Sequence, residues 1–325
     1  MRRLAWFFLI LLLCLGGAGA AAWHYARAAY DAPGPAAEAV QLVVPRGGSA
    51  NIADALAERG VIGDPRAFLA AVWLTREAGA LRAAEFVFPA RASLREVLEV
   101  LRRARPVQRR LTIPEGLTAR QIATLIEHAE GLTGELPPFE EGALLPETYA
   151  YQWGDTRAAI VRRADAAMDA ALAEIWASRA PNLPLRTPRE ALVLASIVER
   201  ETGKADERAR VAGVFINRLR RNMPLQSDPT TAYAAADGGV LDRPLTRADL
   251  DRDHPFNTYR IRGLPPGPIA SPGRDSLRAV VQPEATEFIF FVADGQGGHA
   301  FARTLDEHNR NVARWREVER ARGLR

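Results

Sequence analysis

An uncharged run of twenty residues from Leu4 to Trp23, preceded by Met1, Arg2 and Arg3, constrains this chain more than any other feature. A segment so apolar is stable out of water. As a helix rising 1.5 Å per residue it covers a hydrocarbon core of ~30 Å with its backbone groups paired internally. The arginines before it place the N-terminus on the cytoplasmic side. Two other readings compete. Phe7 to Leu15 followed by Ala18-Gly19-Ala20 resembles a cleavable signal peptide. Leu11-Leu12-Leu13-Cys14 is a weaker lipoprotein signal, because the residue before the cysteine is not small. Span length favours the uncleaved anchor, and all three readings export residues 30–325.

With 325 residues, 48% hydrophobic and 25% charged, the chain can bury a substantial core and is expected to form about two domains. The net charge of +4 rests on arginine, since Lys204 is the single lysine. A GC-rich genome writes such a bias regardless of function, and no basic run is interleaved with aromatics, so nucleic acid is not indicated. Cys14, the lone cysteine, lies in the apolar run, which excludes both a disulfide framework and a thiol nucleophile in the exported part. His24, His128, His254, His299 and His308 have no metal-ligand spacing, so no metal site is expected. No nucleophile elbow is present either.

After a spacer rich in Ala and Pro (28–39), three weakly similar units follow. Leu42–Val44 runs through Gly47, Gly48 and Ser49 into Ile52 and Leu56. Phe86–Phe88 runs through Pro89 and Ser93 into Val97 and Leu101. Leu111–Ile113 runs through Gly116 and Thr118 into Ile122 and Ile126. Each reads as strand, turn, N-cap and amphipathic helix, which together make a small α+β domain over 40–130. Pro137, Pro138 and Pro146 interrupt the next stretch, Leu145–Tyr149 reads as a turn, and a helix is expected over about Thr156–Ser178.

Thr187-Pro188-Arg189-Glu190 is a capping-box pattern with proline at the first helical position, and Gly203 is a natural stop. Between them Leu194, Ile197, Val198 and Glu201 follow i, i+3, i+4, i+7 spacing, so Glu201 ends the apolar stripe. Partial burial and the negative end of the helix dipole would both raise its pKa and favour a protonated acid, the property a proton donor to a leaving oxygen needs. The plainer alternative is a frayed, exposed residue near a helix end. Glu199 lies on another face, with Leu192, Ala195 and Ser196. A second helix over Asp206–Arg220 carries Val211, Val214, Phe215 and Arg218 on one stripe, and Met223–Thr231 reads as a polar loop of the kind that grips sugar hydroxyls. The proline-rich stretch Gly263–Gly273 reads as a stiff connection that would also suit the wall of a groove. Phe288–Val292 reads as a strand closed by the turn at Asp294–His299.

These motifs together resemble the endolytic murein transglycosylases of the YceG-like family. The likeness rests on Leu194-Ala195-Ser196-Ile197-Val198-Glu199-Arg200-Glu201-Thr202, Val214–Leu219, Leu225-Gln226-Ser227-Asp228-Pro229-Thr230, Asn257-Thr258-Tyr259 and the 263–273 loop. It implies an α+β protein with an N-terminal transmembrane helix (1–27), the spacer, a small LysM-like domain (40–130) and a larger mixed α/β catalytic domain (131–325) on the periplasmic side of the inner membrane. It implies cleavage of the β-1,4 bond between N-acetylmuramic acid and N-acetylglucosamine, with Glu201 as acid and base. Gln226, Ser227, Asp228, Thr230, Asn257 and Tyr259 become expected substrate contacts, and Glu199 and Asn217 supporting residues. No cofactor or metal is implied. The implied partners are glycan strands, the membrane and peptidoglycan synthases. Two rival readings are a non-catalytic peptidoglycan-binding scaffold and a hydrolase that uses water.

Overall fold

A computed structural model describes residues 2–322. Helix α1 (Arg2–Asp31) contains the apolar run, and its segment Leu9–Asp31 is long and apolar enough to cross a membrane. The chain divides into two compact units. One comprises the residues up to Arg109 together with Tyr151–Gly154, and the other comprises Arg110–Ala150 and Asp155 onward. The third of the strand-and-helix repeats therefore clusters with the residues that follow it.

In the first unit, strand β1 (Val40–Val43) leads into α2 (Ser49–Glu58) and α3 (Pro65–Leu74), then β2 (Glu85–Phe88) and α4 (Leu94–Arg103). The strands pair antiparallel, Val40 opposite Phe88 and Val43 opposite Glu85. Alternation puts Phe86 and Phe88 on faces that close over Leu56, Phe68, Val97 and Leu101, all fully buried. Helix α4 starts where the sequence indicates, because the Ser93 hydroxyl accepts from the Glu96 amide while the Glu96 carboxylate accepts from the Ser93 amide. Glu85 is buried and satisfied: Arg109 donates to both of its oxygens at 2.7 and 2.9 Å, and Gln41 donates at 2.8 Å. The Arg109 bond is the main reason its carboxyl is held below the usual range.

Strand β3 (Arg109–Thr112) carries the chain from the first unit into the second and pairs with β4 (Thr148–Tyr151), and helix α5 (Ala119–Glu127) lies between them in sequence. Thr148 and Tyr149, expected in a turn, are thus in a strand. Helices α6 (Arg157–Ala177), α7 (Pro188–Glu201), α8 (Arg208–Arg220), α9 (Asp228–Ala235), α10 (Arg247–Asp251) and α11 (Arg274–Val281) follow. The hairpin β5 (Phe290–Ala293) and β6 (His299–Ala302) and helix α12 (Leu305–Ala321) complete the order. Asp228 to Thr231, expected in a loop, form the first turn of α9, which proline at its second position suits.

Helix α7 organises this unit by packing against α6, α8, α9 and α11. The periodicity suggested one apolar stripe, yet every residue from Ala191 to Val198 is buried. The face carrying Ala191, Ala195 and Ser196 is covered too, since its small side chains admit close neighbours. Thr187 caps the start by accepting from the Glu190 amide, but Glu190 accepts from the Arg186 amide, so the box is not reciprocal. The helix ends at Glu201, with Thr202 already extended at the C-cap and Gly203 just beyond it, where a stop glycine is expected.

The 263–273 stretch straps this helix into the core. Ile269 N–H donates to the buried Ser196 hydroxyl (3.0 Å), Ser271 exchanges backbone hydrogen bonds with Gly116 and Leu117 (2.9 and 2.8 Å), and Gly273 N–H donates to Glu199 (2.9 Å). Ser196→Ala would leave the Ile269 amide buried and unpartnered. We expect urea unfolding to show a loss of about 1–3 kcal/mol, with the helical circular dichroism of the native state unchanged.

Candidate active site

Helix α7 delivers Glu201 at its last turn, where the side chain is half-buried. Its Oε1 accepts a 2.5 Å hydrogen bond from the hydroxyl of Ser227. Ser227 stands at the N-cap of α9, the position at which a serine hydroxyl usually accepts from the helix's free amides, and here it makes no such bond. The hydroxyl is committed to Glu201 instead.

The strand-like turn before Ser227 is shaped for that purpose. Gln226 has φ of +50°, a left-handed conformation that costs about 1–2 kcal/mol for a residue with a side chain. Its amide donates to Thr258 O at 3.1 Å. A closed circuit of hydroxyls then locks Ser227. The Ser227 amide donates to Thr258 Oγ1 (2.9 Å), Thr258 and Thr230 hydroxyls bond at 2.8 Å, and Thr230 Oγ1 donates to Ser227 O (2.7 Å). One hydrogen per hydroxyl requires that Thr258 donate to Thr230. All three residues are buried.

Asn257 is fully buried and completes the lock. Its amide nitrogen faces the carbonyls of Asp249, Leu250 and Arg252 at 2.8–3.2 Å, and its oxygen accepts from Thr231 Oγ1 and the Tyr259 amide. With both amide hydrogens and the oxygen engaged inside the protein, Asn257 joins the two motif loops. Thr230 is likewise turned inward. Gln226, Asp228 and Tyr259, by contrast, line a cleft of about 360 Å³ together with Glu201. Tyr259 donates to Asp228 Oδ1 at 2.6 Å, and burial followed by Asp228 raises its phenol above the ordinary range.

Two walls of this cleft were not among the expected site residues. Arg218, on the apolar stripe of α8, donates through Nε to Ile289 O and through Nη1 to Leu225 O, both at 2.7 Å, and to Gln226 Oε1 at 3.2 Å. An arginine on a buried stripe was the available signal. Adjoining Arg218, a further stretch of wall comes from β5, β6 and α12, through Phe291, His299, His308 and Trp315. His308 stacks on Phe290 with ring centroids 5.0 Å apart, and burial, then Arg218, lowers its pKa. No sequence periodicity connects these residues to Glu201. Asn217 supports the same wall by donating to Thr286 O and Phe288 O (2.7 and 3.0 Å), just ahead of β5.

Glu199 points elsewhere. It accepts from Gly273, lies 3.6 Å from Arg208 and does not line the cleft. Among the described residues no group of three or more His, Cys, Asp and Glu side chains is arranged to hold a metal ion.

The electrostatics single out Glu201. Burial pushes its carboxyl up, and the Ser227 bond opposes that. Asp228 raises it further, while Arg218 lowers it, and the balance lies at about 7. A carboxyl titrating there can give a proton and take one back at neutral pH. Between the ordinary value of 4.5 and about 7, the folded state holds a proton that the unfolded chain has released. Stability therefore falls as pH rises through that window and is level above it. Glu201→Gln removes this penalty. We expect it to be more stable than the parent by roughly 1–3 kcal/mol near pH 8 and indistinguishable near pH 4 by thermal or urea unfolding.

Residues 42–314 match the YceG-like family. An endolytic murein transglycosylase of Bacillus subtilis (strain 168) is 38% identical across 52% of this chain and 46% of its own. An endolytic murein transglycosylase of Streptococcus pneumoniae serotype 2 (strain D39) is 33% identical across 64% of this chain and 45% of its own. The chain thus spans about half the length of the curated relatives it matches. The crystal structure of a YceG-like protein from Listeria monocytogenes superposes with a TM-score of 0.54 at 26% identity, covering 84% of this chain and 98% of that one.

Proposed function

The chain belongs to the YceG-like family, and from that premise we propose that it is an endolytic lytic transglycosylase of peptidoglycan with Glu201 as its acid and base. The observation that carries the reading is a carboxyl in an open cleft, aimed by one short hydrogen bond from Ser227 and raised to about 7 by burial against the pull of that bond. Glu201 donates its proton to the glycosidic oxygen, and the bond from that oxygen to C1 of the muramic sugar breaks. The carboxylate then takes the proton of the muramic C6 hydroxyl as that oxygen bonds to C1 and closes a 1,6-anhydro ring. No water is consumed, and the internal nucleophile is already held beside C1, which gives it a rate advantage over a bimolecular partner.

Ser227 aims and tunes the acid. Gln226, Asp228 and Tyr259 contact the sugars from the cleft wall, and Asn257, Thr230, Asn217 and Glu199 hold the scaffold behind them. The N-terminal helix anchors the chain in the inner membrane with Arg2 and Arg3 inside, so the catalytic residues work in the periplasm beside emerging strands and their synthases. The β1–α2–α3–β2 order with antiparallel strands supports a LysM-like, glycan-holding role for the first unit.

One observation favours a second reading. Asp228 lies in the same cleft as Glu201, and a second carboxylate is what a water-activating hydrolase requires. Mass spectrometry separates the two. Glycan strands incubated with the detergent-solubilised full chain are expected to yield internal fragments ending in 1,6-anhydro-muramic acid, and Glu201→Gln none. Reducing ends one water heavier would establish the hydrolase, and intact strands with the native protein would leave only a binding role.

The pH profile gives an independent check. Activity is expected to fall along an alkaline limb centred near 7 as Glu201 loses its proton. Ser227→Ala removes the bond that favours the carboxylate, so its limb should move to higher pH while kcat drops by about tenfold or more. An unmoved limb would show that Ser227 does not tune the acid.

A further inference from the structure

The first unit carries an apolar surface that its core does not use. Helix α3, with sequence Pro-Arg-Ala-Phe-Leu-Ala-Ala-Val-Trp-Leu, contains no acid, and it buries only Phe68 and Ala71. Its far end leaves Trp73 65% and Leu74 59% exposed. Ala67, Ala70 and Leu74 of this helix face Trp23, Ala26 and Tyr30 of α1 across a groove of about 500 Å³. At ten residues α3 is too short to cross a bilayer, and with Trp73 and Leu74 exposed it has the length and the open apolar end of a helix that lies where lipid meets water.

The position of the groove along α1 names its occupant. Trp6 and Trp23 are seventeen residues apart on one continuous helix, about 26 Å, which is close to the separation of the two aromatic belts that flank a hydrocarbon core. Tyr30 stands only about 10 Å beyond Trp23 along the same axis. The groove therefore begins at the level of one belt and ends within the headgroup layer, the depth to which interfacial helices bury their apolar faces. Helix α1 packs against α4 in the same unit, which keeps α3 beside the anchor. The rim carries arginines as well as two acids, Asp64 at the start of α3 and Glu77 just past its end. Arg76 lies 5.1 Å over the Trp73 ring, and Arg27 and Arg66 flank the groove and helix, whereas Arg95 is paired with Asp31. Guanidinium groups at that depth meet lipid phosphates, which they bind in bidentate fashion.

We propose that the exposed face of α3, with Trp73 and Leu74 at its tip, docks into the interfacial layer of the same bilayer that α1 crosses. The first unit is thereby held on the lipid by a second contact besides its anchor. The inference rests on the reading of α1 as a membrane anchor and adds to it a surface contact by a separate helix.

Nitroxide labels on the full chain, reconstituted in vesicles of phosphatidylethanolamine and phosphatidylglycerol, test it by accessibility to oxygen and to a water-soluble nickel complex. Cys14 is exposed on α1 and is the only cysteine, so labelling the native chain reports the anchor. Cys14→Ser with Leu74→Cys reports α3, and Cys14→Ser with Val87→Cys, on the exposed side of β2, gives an aqueous reference. The label at 74 should favour oxygen over nickel by several-fold relative to that at 87, at a depth shallower than Cys14, and Trp73→Asp should shift it toward water. A water-like label at 74 with a lipid-like Cys14 overturns the docking and leaves the anchor intact. A water-like Cys14 overturns the anchor and the docking together. Spin–spin broadening at 74 that disappears on dilution with unlabelled chain would mean that a second copy covers the face, which also overturns the proposal.

Discussion

A helix buried on every side can present a side chain to a cleft only at its ends, and α7 presents Glu201 there. Eight successive buried residues, clasped by four other helices and by the 263–273 strap, leave the last turn as the only part of α7 that reaches the cleft. The core thereby fixes where the carboxyl stands, and the position fixes its pKa. Desolvation, the largest effect, and Asp228 together outweigh the serine bond and the nearby arginine, so the group rests near 7 and not in the ordinary carboxylate range. Moving the helix end by one turn would carry the carboxyl about 5 Å, far outside the reach of a hydrogen bond to Ser227.

The surroundings give up local stability to hold that bond. A cap serine forgoes its helix, and Gln226 occupies a left-handed conformation for which glycine would be the easier choice. Both are sustained by the Ser227–Thr258–Thr230 circuit and by the fully engaged Asn257, which over-determine the loop from behind. Strain at the front and redundancy at the back is the arrangement expected where a reactive group must be aimed before substrate arrives.

Much of this was legible in the residues, for physical reasons that differ from place to place. The start of α7 was marked by its cap and its proline, and the odd position of Glu201 by a carboxylate ending an apolar stripe. The three turn-and-cap units announced α2, α4 and α5, yet the partner of β3 was missed, because Thr148–Tyr151 follows prolines that read as a turn. Met223–Thr231 looked like a loop since nothing in a Ser-Asp-Pro-Thr run reveals that the helix begins at the aspartate. Asn257 and Thr230 sit in motifs that suggest sugar contacts, and only the hydrogen-bond accounting turns them inward. Arg218 showed itself only as an arginine on an apolar stripe, and the wall of Phe291, His308 and Trp315 could not be assigned, because side chains from β5 and α12 converge in space without any local pattern.

Proton donation by Glu201 requires that its carboxyl still hold a proton near neutral pH, and its titration measures that most directly. Infrared difference spectra of the full chain, with Glu201→Gln subtracted, isolate the carboxyl band of this one side chain across pH. A midpoint at about 7 is the result the structure predicts. A midpoint near the ordinary carboxyl value of 4.5 would mean that the cleft leaves Glu201 ionised at neutral pH, and the assignment of the acid would fail.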